Sequence, residues 1–156
     1  MPMRRAAWDV SPLSSRPRAP PNARMTKRAP LIAVVDDEKS VRAALARVLR
    51  ASEFDVALYG SAEEFLRSLE REIPDCVVVD FQMPGLTGRD VQQALAACAP
   101  TLPLIMVTAH DHGALRDEVL ADGAAAYLTK PLRSDKLVDA IANSIRGAAS
   151  HITAPQ

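Results

Sequence analysis

The chain is short of everything that would staple it, plate it with transition metal or carry it across a bilayer. Two cysteines and three histidines occur in 156 residues. Neither Cys76 nor Cys98 has a Cys or His neighbour at metal-ligand spacing, which argues against zinc and against a disulfide framework and favours free thiols in a reducing compartment. No apolar run approaches the roughly 20 residues of a membrane span, and the N-terminus has no apolar core of a secretory signal. The expected location is cytoplasmic, without membrane attachment. Glycine is sparse, and no G-x-x-x-x-G-K-[ST] or G-x-G-x-x-G pattern follows a strand-like run, which removes the common nucleotide-binding loops.

Basic charge is also missing where nucleic acid would need it. The formal net charge is zero, but residues 1–29 hold seven basic residues against Asp9 alone, leaving twelve basic and eighteen acidic residues in the remainder. An acidic body of net charge −6 has no face for a phosphate backbone, so direct nucleic-acid binding is not expected. Six of the twelve prolines fall in the first 30 residues, among Arg, Ala and Ser and without hydrophobic periodicity. Residues 1–29 are therefore expected to be a disordered Pro/Arg-rich extension. One reading makes it an upstream start artefact with Met25 as the natural start; the other makes it a basic tail for an acidic partner.

From Leu31 onward short apolar runs alternate with longer amphipathic stretches. Strands are expected at 31–35, 54–58, 76–80, 103–107 and 124–128, and helices at about 39–51, 61–71, 88–98, 112–121 and 134–147. In the first helix Val41, Leu45, Val48 and Leu49 share one face, while Arg42, Arg47 and Arg50 fall elsewhere. Ser61 and Glu64 stand at capping-box spacing before Phe65, Leu66 and Leu69. Five strand–helix units in about 120 residues predict one α/β domain over 30–148, a flavodoxin-like doubly wound parallel sheet of five strands in the order 2-1-3-4-5, with five helices on its two faces. Residues 149–156 are expected to form a short tail.

What the strands end on is the chemical signal. Leu31-Ile32-Ala33-Val34-Val35 runs into Asp36-Asp37, Cys76-Val77-Val78-Val79 into Asp80, Leu104-Ile105-Met106-Val107 into Thr108, and the fifth run into Lys130-Pro131. Open parallel sheets place their sites along the carboxyl edge of the strands. Strands one and three are neighbours in the expected order, so Asp36, Asp37 and Asp80 meet there, with the Thr108 hydroxyl and the Lys130 ammonium beside them. Such a cleft suits a hard divalent cation and a phosphoryl group. Without metal, mutual repulsion is expected to raise the pKa of one of the three carboxyls.

Val34-Val35-Asp36-Asp37-Glu38, Val77-Val78-Val79-Asp80-Phe81-Gln82-Met83-Pro84-Gly85, Val107-Thr108-Ala109 and Leu128-Thr129-Lys130-Pro131 resemble the receiver domain of two-component response regulators over about 31–147. Ser61-Ala62-Glu63-Glu64-Phe65-Leu66 and Thr108-Ala109-His110 are most similar to FixJ-like receivers. The resemblance implies that Asp80 accepts a phosphoryl group from a phosphohistidine of a sensor histidine kinase. It implies Mg²⁺ (or Mn²⁺) on Asp37, Asp80 and the main-chain carbonyl of Gln82, with Asp36 acting through water. Lys130 would balance the phosphoryl charge, Thr108 would turn toward it after transfer, and Tyr127 would move inward behind. Gln82 and His110 occupy positions that tune the acyl phosphate lifetime, and Lys130-Pro131 is a cis peptide on the same grounds.

After the last expected helix only Gly147 to Gln156 remain, too few for a helix-turn-helix output, so a stand-alone receiver is expected. It would dock to a downstream protein or hand the phosphoryl group onward, with the face of helix four, strand five and helix five as docking or homodimer surface. It is not expected to be an enzyme. Three competitors stand beside this reading. A phosphorylation-independent docking module shares the fold. A metal-dependent aspartyl phosphohydrolase would want a carboxylate where Gln82 stands. A flavodoxin-type redox carrier would want a Ser/Thr-rich loop after strand one.

Overall fold

Alternation along the strands decides the architecture. Ile32, Val34, Cys76, Val78, Ile105 and Val107 belong to one buried cluster, whereas Ala33, Val35, Val77, Val79, Leu104 and Met106 belong to the other. Successive strand residues point to opposite faces, so strands that are apolar at every position must be covered on both sides. The computed structural model describes residues 28–153, with side-chain surroundings through Ala148. The elements in chain order are β1 (Leu31–Val35), α1 (Lys39–Ala51), β2 (Asp55–Tyr59), α2 (Ala62–Ser68), β3 (Cys76–Asp80), α3 (Gly88–Cys98), β4 (Leu104–Thr108), α4 (Gly113–Ala121), β5 (Ala126–Thr129) and α5 (Ser134–Thr153). All pairings are parallel, in the order β2-β1-β3-β4-β5. The expected doubly wound sheet with five helices is what forms. The expected disordered extension lies almost wholly outside the described residues.

Leu45 and Leu49 of α1 and Leu137 and Ile141 of α5 cover one face. Phe65 of α2, Val91 and Leu95 of α3 and Val119 of α4 cover the other. Helix α1 ends on Glu53 at φ 71°, with Phe54 N–H reaching back to Leu49 O at 3.0 Å, the left-handed stop usually given to glycine. Helix α4 is the least attached: Val119 is its one buried residue.

Differences from the sequence expectations lie at the ends of elements. β2 and β4 each start one residue later than expected and β5 two residues later, because Ala124 N–H closes α4 onto Val119 O before Ala125 N–H meets Leu104 O. α2 stops at Ser68, where Leu69, Glu70 and Arg71 donate to residues three back and tighten the last turn. α5 runs on to Thr153, past the expected end at 147 and through the start of the expected tail. Only half of the Ser61 capping box forms: Ser61 Oγ accepts Glu64 N–H at 3.1 Å, but the Glu64 carboxylate takes the N–H of Gly60 at 2.9 Å. A complete box instead opens α3, between Thr87 and Asp90.

Cys76 is fully buried in β3 and Cys98 is exposed at the end of α3. Burial, then the neighbouring Asp75, pushes the Cys76 thiol up to about 12. The thiolate is the reactive form, so iodoacetamide at pH 8 is expected to label Cys98 alone in native protein and both thiols in urea. Two labels at equal rates on native protein would contradict this packing. No helix among the described residues is long and apolar enough to cross a membrane.

Candidate metal centre

The carboxyl edge of the sheet carries the acidic residues because two neighbouring strands deliver them there. Asp36 follows β1, Asp80 is the last residue of β3, and register places Val35 beside Val79. Asp36, Asp37 and Asp80 each offer a carboxylate oxygen, and these oxygens lie within 4.8 Å of one another. Thr108 closes β4, while Lys130, just past β5, donates its N–H to Thr108 O at 2.8 Å. The five residues named from the strand ends therefore meet at one edge, and the Lys130-Pro131 peptide is cis.

Lys130 Nζ stands 3.3 Å from Asp36 Oδ2 and 3.5 Å from Asp80 Oδ2. Asp36 and Asp80 are buried, and Asp37 is exposed. Burial raises the Asp80 carboxyl above the ordinary carboxylate value; Lys130 opposes the rise, Asp36 adds to it, and the Gln82 N–H opposes it again. The expected raised carboxyl is thus Asp80, but loss of water is the first cause and like-charge repulsion a lesser one. For Lys130, burial works against the charge, yet Asp80 and then Asp36 outweigh it and hold the ammonium above the usual lysine value.

The remaining expected residues have more particular surroundings. Gln82 meets Asp80 through its main-chain N–H, at 3.4 Å from Oδ1. The Thr108 hydroxyl faces the main chain of His110, taking its N–H and giving its own proton to its carbonyl, each at 3.1 Å. His110 itself is exposed. Tyr127 is already inward at 5% exposure, with its hydroxyl buried and without a hydrogen-bond partner. The guanidinium carbon of Arg116 lies 5.7 Å from its ring centre. His112 opens α4 as its N-cap residue.

Arg42 is a residue that helix periodicity placed off the apolar face, with no role in the site, and that the fold turns toward the site. Its Nη1 donates to the main-chain oxygen of Asp36 at 2.6 Å. Helix side chains lean toward the N-terminus, so an arginine one turn into α1 reaches the loop before it. That lean was the available signal.

Three oxygen-bearing carboxylates around a point, two of them facing an ammonium, match the donor set of a hard divalent cation and fit no soft metal. An anion beside the cation would have Lys130 as its counter-charge. Hydroxyl, carboxylate and ammonium together suit transfer of a phosphoryl group better than acyl or redox chemistry.

A family model described as the response regulator receiver domain matches residues 32–142. Nodulation protein W of Bradyrhizobium diazoefficiens is 34% identical over 111 residues, 71% of this chain and 49% of that protein. Response regulator protein TodT of Pseudomonas putida is 30% identical over 122 residues, 78% of this chain and 54% of that one. The chain spans about half the length of these curated relatives. Among solved structures, a response regulator receiver protein from Burkholderia phymatum is 40% identical with a TM-score of 0.67, covering 75% of this chain and 95% of the other. A receiver domain protein from Clostridium thermocellum is 28% identical with a TM-score of 0.73, covering 77% of this chain and 97% of the other.

Proposed function

Because the chain belongs to the response regulator receiver domain family of two-component signalling, we propose that Asp80 is its phosphoacceptor and that a sensor histidine kinase is the donor. The observation that carries the reading is the convergence of Asp36, Asp37 and Asp80 within 4.8 Å, faced by Lys130. In the transfer a carboxylate oxygen of Asp80 bonds to phosphorus as the phosphorus–nitrogen bond of a phosphohistidine breaks, and the imidazole keeps the electron pair and takes a proton. Lys130 neutralises the incoming phosphoryl oxygens. Asp37, Asp80 and the Gln82 carbonyl would hold Mg²⁺, with Asp36 acting through water. The cation supplies charge neutralisation and alignment when bound.

Burial already prepares Asp80 for this role. Its charged form is disfavoured without metal, so a bound cation and the conversion to an acyl phosphate are both relieved of competition from water. After transfer, Thr108 exchanges the His110 main chain for a phosphoryl oxygen, while Tyr127 is already packed inward before it. An apolar groove of about 430 Å³ between α1 and the residues after β5, lined by Val41, Ala44, Val48, Pro131 and Leu137 among others, opens beside Lys130. The signal then leaves through a docked protein or a further phosphotransfer, in the cytoplasm. Gln82 and His110 flank the acyl phosphate and set its lifetime; equal decay in Gln82→Ala, His110→Ala and wild type would remove them from that role.

Incubation with Mg²⁺ and acetyl phosphate, read by intact mass, tests the assignment. Wild type is expected to gain about 80 Da once, a gain that disappears with EDTA and in Asp80→Asn. No gain in folded protein that binds Mg²⁺ would overturn chemical phosphoacceptance and favour docking without phosphorylation. Turnover of free phosphate esters that depends on Asp80 would instead favour the phosphohydrolase.

A further inference from the structure

Asp36 is held at every polar atom it has. Its N–H donates to Tyr59 O at 3.1 Å, its Oδ1 accepts the Glu38 N–H at 2.9 Å, and its Oδ2 faces Lys130 at 3.3 Å. The fourth hold is the 2.6 Å bond from Arg42 Nη1 to its main-chain oxygen. Asp37 is held by nothing of its own: it is exposed and makes no hydrogen bond or ion pair among the described residues. Its direction depends on the peptide unit that joins it to Asp36, and the oxygen of that unit is the atom Arg42 grips.

Arg42 is half-buried and lies close to a second loop as well. A methyl group built on Gly60 would lie 3.3 Å from Arg42 Nη1 and 3.7 Å from Glu64 Oε1, and that same Glu64 oxygen is engaged by the Gly60 N–H. The guanidinium is therefore wedged between the loop after β1 and the loop after β2. A hydrogen bond from a charged donor is about twice as strong as a neutral one, so the rotation of the Asp36–Asp37 peptide is restrained by more than its own torsional preference. Arg42 also brings positive charge, which opposes a cation. The two effects predict opposite results on removal, and the short, direct bond against a half-exposed, water-screened charge decides in favour of the bond.

We propose that Arg42 is a positioning residue that aims Asp37 at the cation by clamping the Asp36–Asp37 peptide. The proposal rests on the metal reading of the acidic site and assigns a chain residue to it. It needs no contact between Arg42 and the cation or the phosphoryl group.

The test is a calorimetric Mg²⁺ titration of EDTA-stripped wild type, Arg42→Met and Arg42→Lys, with a circular dichroism melt of each. Loss of the clamp is expected to weaken Mg²⁺ binding of Arg42→Met about fivefold, and Arg42→Lys, which keeps a donor and the charge, recovers most of it. The Mg²⁺ concentration for half-maximal phosphorylation by acetyl phosphate should rise by the same factor, while the rate at saturating Mg²⁺ stays within about twofold of wild type. Unchanged or tighter Mg²⁺ binding in folded Arg42→Met overturns the positioning role and leaves the metal site standing. Wild type that takes up no Mg²⁺ overturns the metal reading and this proposal with it. If Arg42→Met does not fold, Arg42→Gln, whose amide falls short of the Asp36 oxygen, carries the same comparison.

Discussion

In EDTA at neutral pH, Asp80→Asn is expected to melt about 5 °C above wild type, a gain of about 1 kcal/mol in a domain of this size. Asp80 is 6% exposed, and burial holds its carboxyl above its ordinary value of 3.8. A carboxyl whose folded pKa exceeds its unfolded one binds its proton more tightly in the native state. Stability is therefore lost as pH rises from the unfolded value through the raised folded one, and the whole penalty stands above both. Asparagine carries none of it, while its amide oxygen still accepts from Lys130 or from the Gln82 N–H. The advantage should be full at pH 7.5 and shrink as pH falls toward 4, where the native carboxyl of wild type regains its proton. Adding Mg²⁺ should raise the melting point of wild type and move the variant much less. A variant that melts at or below wild type in EDTA at pH 7.5 would show that Asp80 is not a strained charge.

Lys130→Met is expected to do the reverse. It removes the ammonium that stands 3.3 Å from one buried carboxylate and 3.5 Å from another, leaving both without their shared counter-charge. Breaking a fully buried pair costs about 3–5 kcal/mol; the 22% exposure of the Lys130 side chain lets water screen part of that, so about 2 kcal/mol is expected in EDTA. Mg²⁺ should restore much of the loss, because a cation now replaces the missing positive charge, and its affinity should rise on the order of tenfold as the competing ammonium disappears. Phosphoryl uptake at saturating Mg²⁺ should nevertheless fall about a hundredfold, since the group that balances the incoming oxygens is gone. Differential scanning fluorimetry with and without Mg²⁺, beside intact mass, separates the two effects. Weaker Mg²⁺ binding in this variant would mean that Lys130 organises the carboxylates rather than competing with the cation.

Much of this site could be read from the sequence because the fold writes it in one dimension. A strand buried on both faces must be apolar throughout, so a charged or hydroxyl residue at its end marks the strand exit, and Asp36, Asp80, Thr108 and Lys130 all stand at such exits. Strands 31–35 and 76–80 were legible to the residue for the same reason. Side-chain direction was less legible. Periodicity sorts residues by face, and it set Arg42 apart from the Val41, Leu45, Val48 and Leu49 face without saying what it reaches; its lean back over the preceding loop is a property of helix geometry rather than of pattern. The Thr87–Asp90 box straddles the start of the helix expected at 88–98 and was not singled out, while Ser61 and Glu64 had the right spacing but a nearer donor in Gly60. The inward packing of Tyr127 depends on β5, Val119 and Arg116, which are brought together by tertiary structure alone.

The slight anchorage of α4 has a meaning for transmission. Apart from Val119 and the partly buried Leu115, the helix is tied down by the Gln92 amide on Val119 O at 2.9 Å, by Arg116 over the Tyr127 ring and by the Arg89–Asp122 ion pair at 2.9 Å just past its end. A two-position element responds to a local trigger only when its positions differ by no more than the trigger can supply, a few kcal/mol at most. A helix sunk in the core like α1 or α5 would ignore the loss of one threonine hydrogen bond. α4 is the helix with least to lose by shifting, so under the proposed phosphorylation of Asp80 a redirected Thr108 hydroxyl is expected to tell there first, as a change of outline beside a stiff sheet.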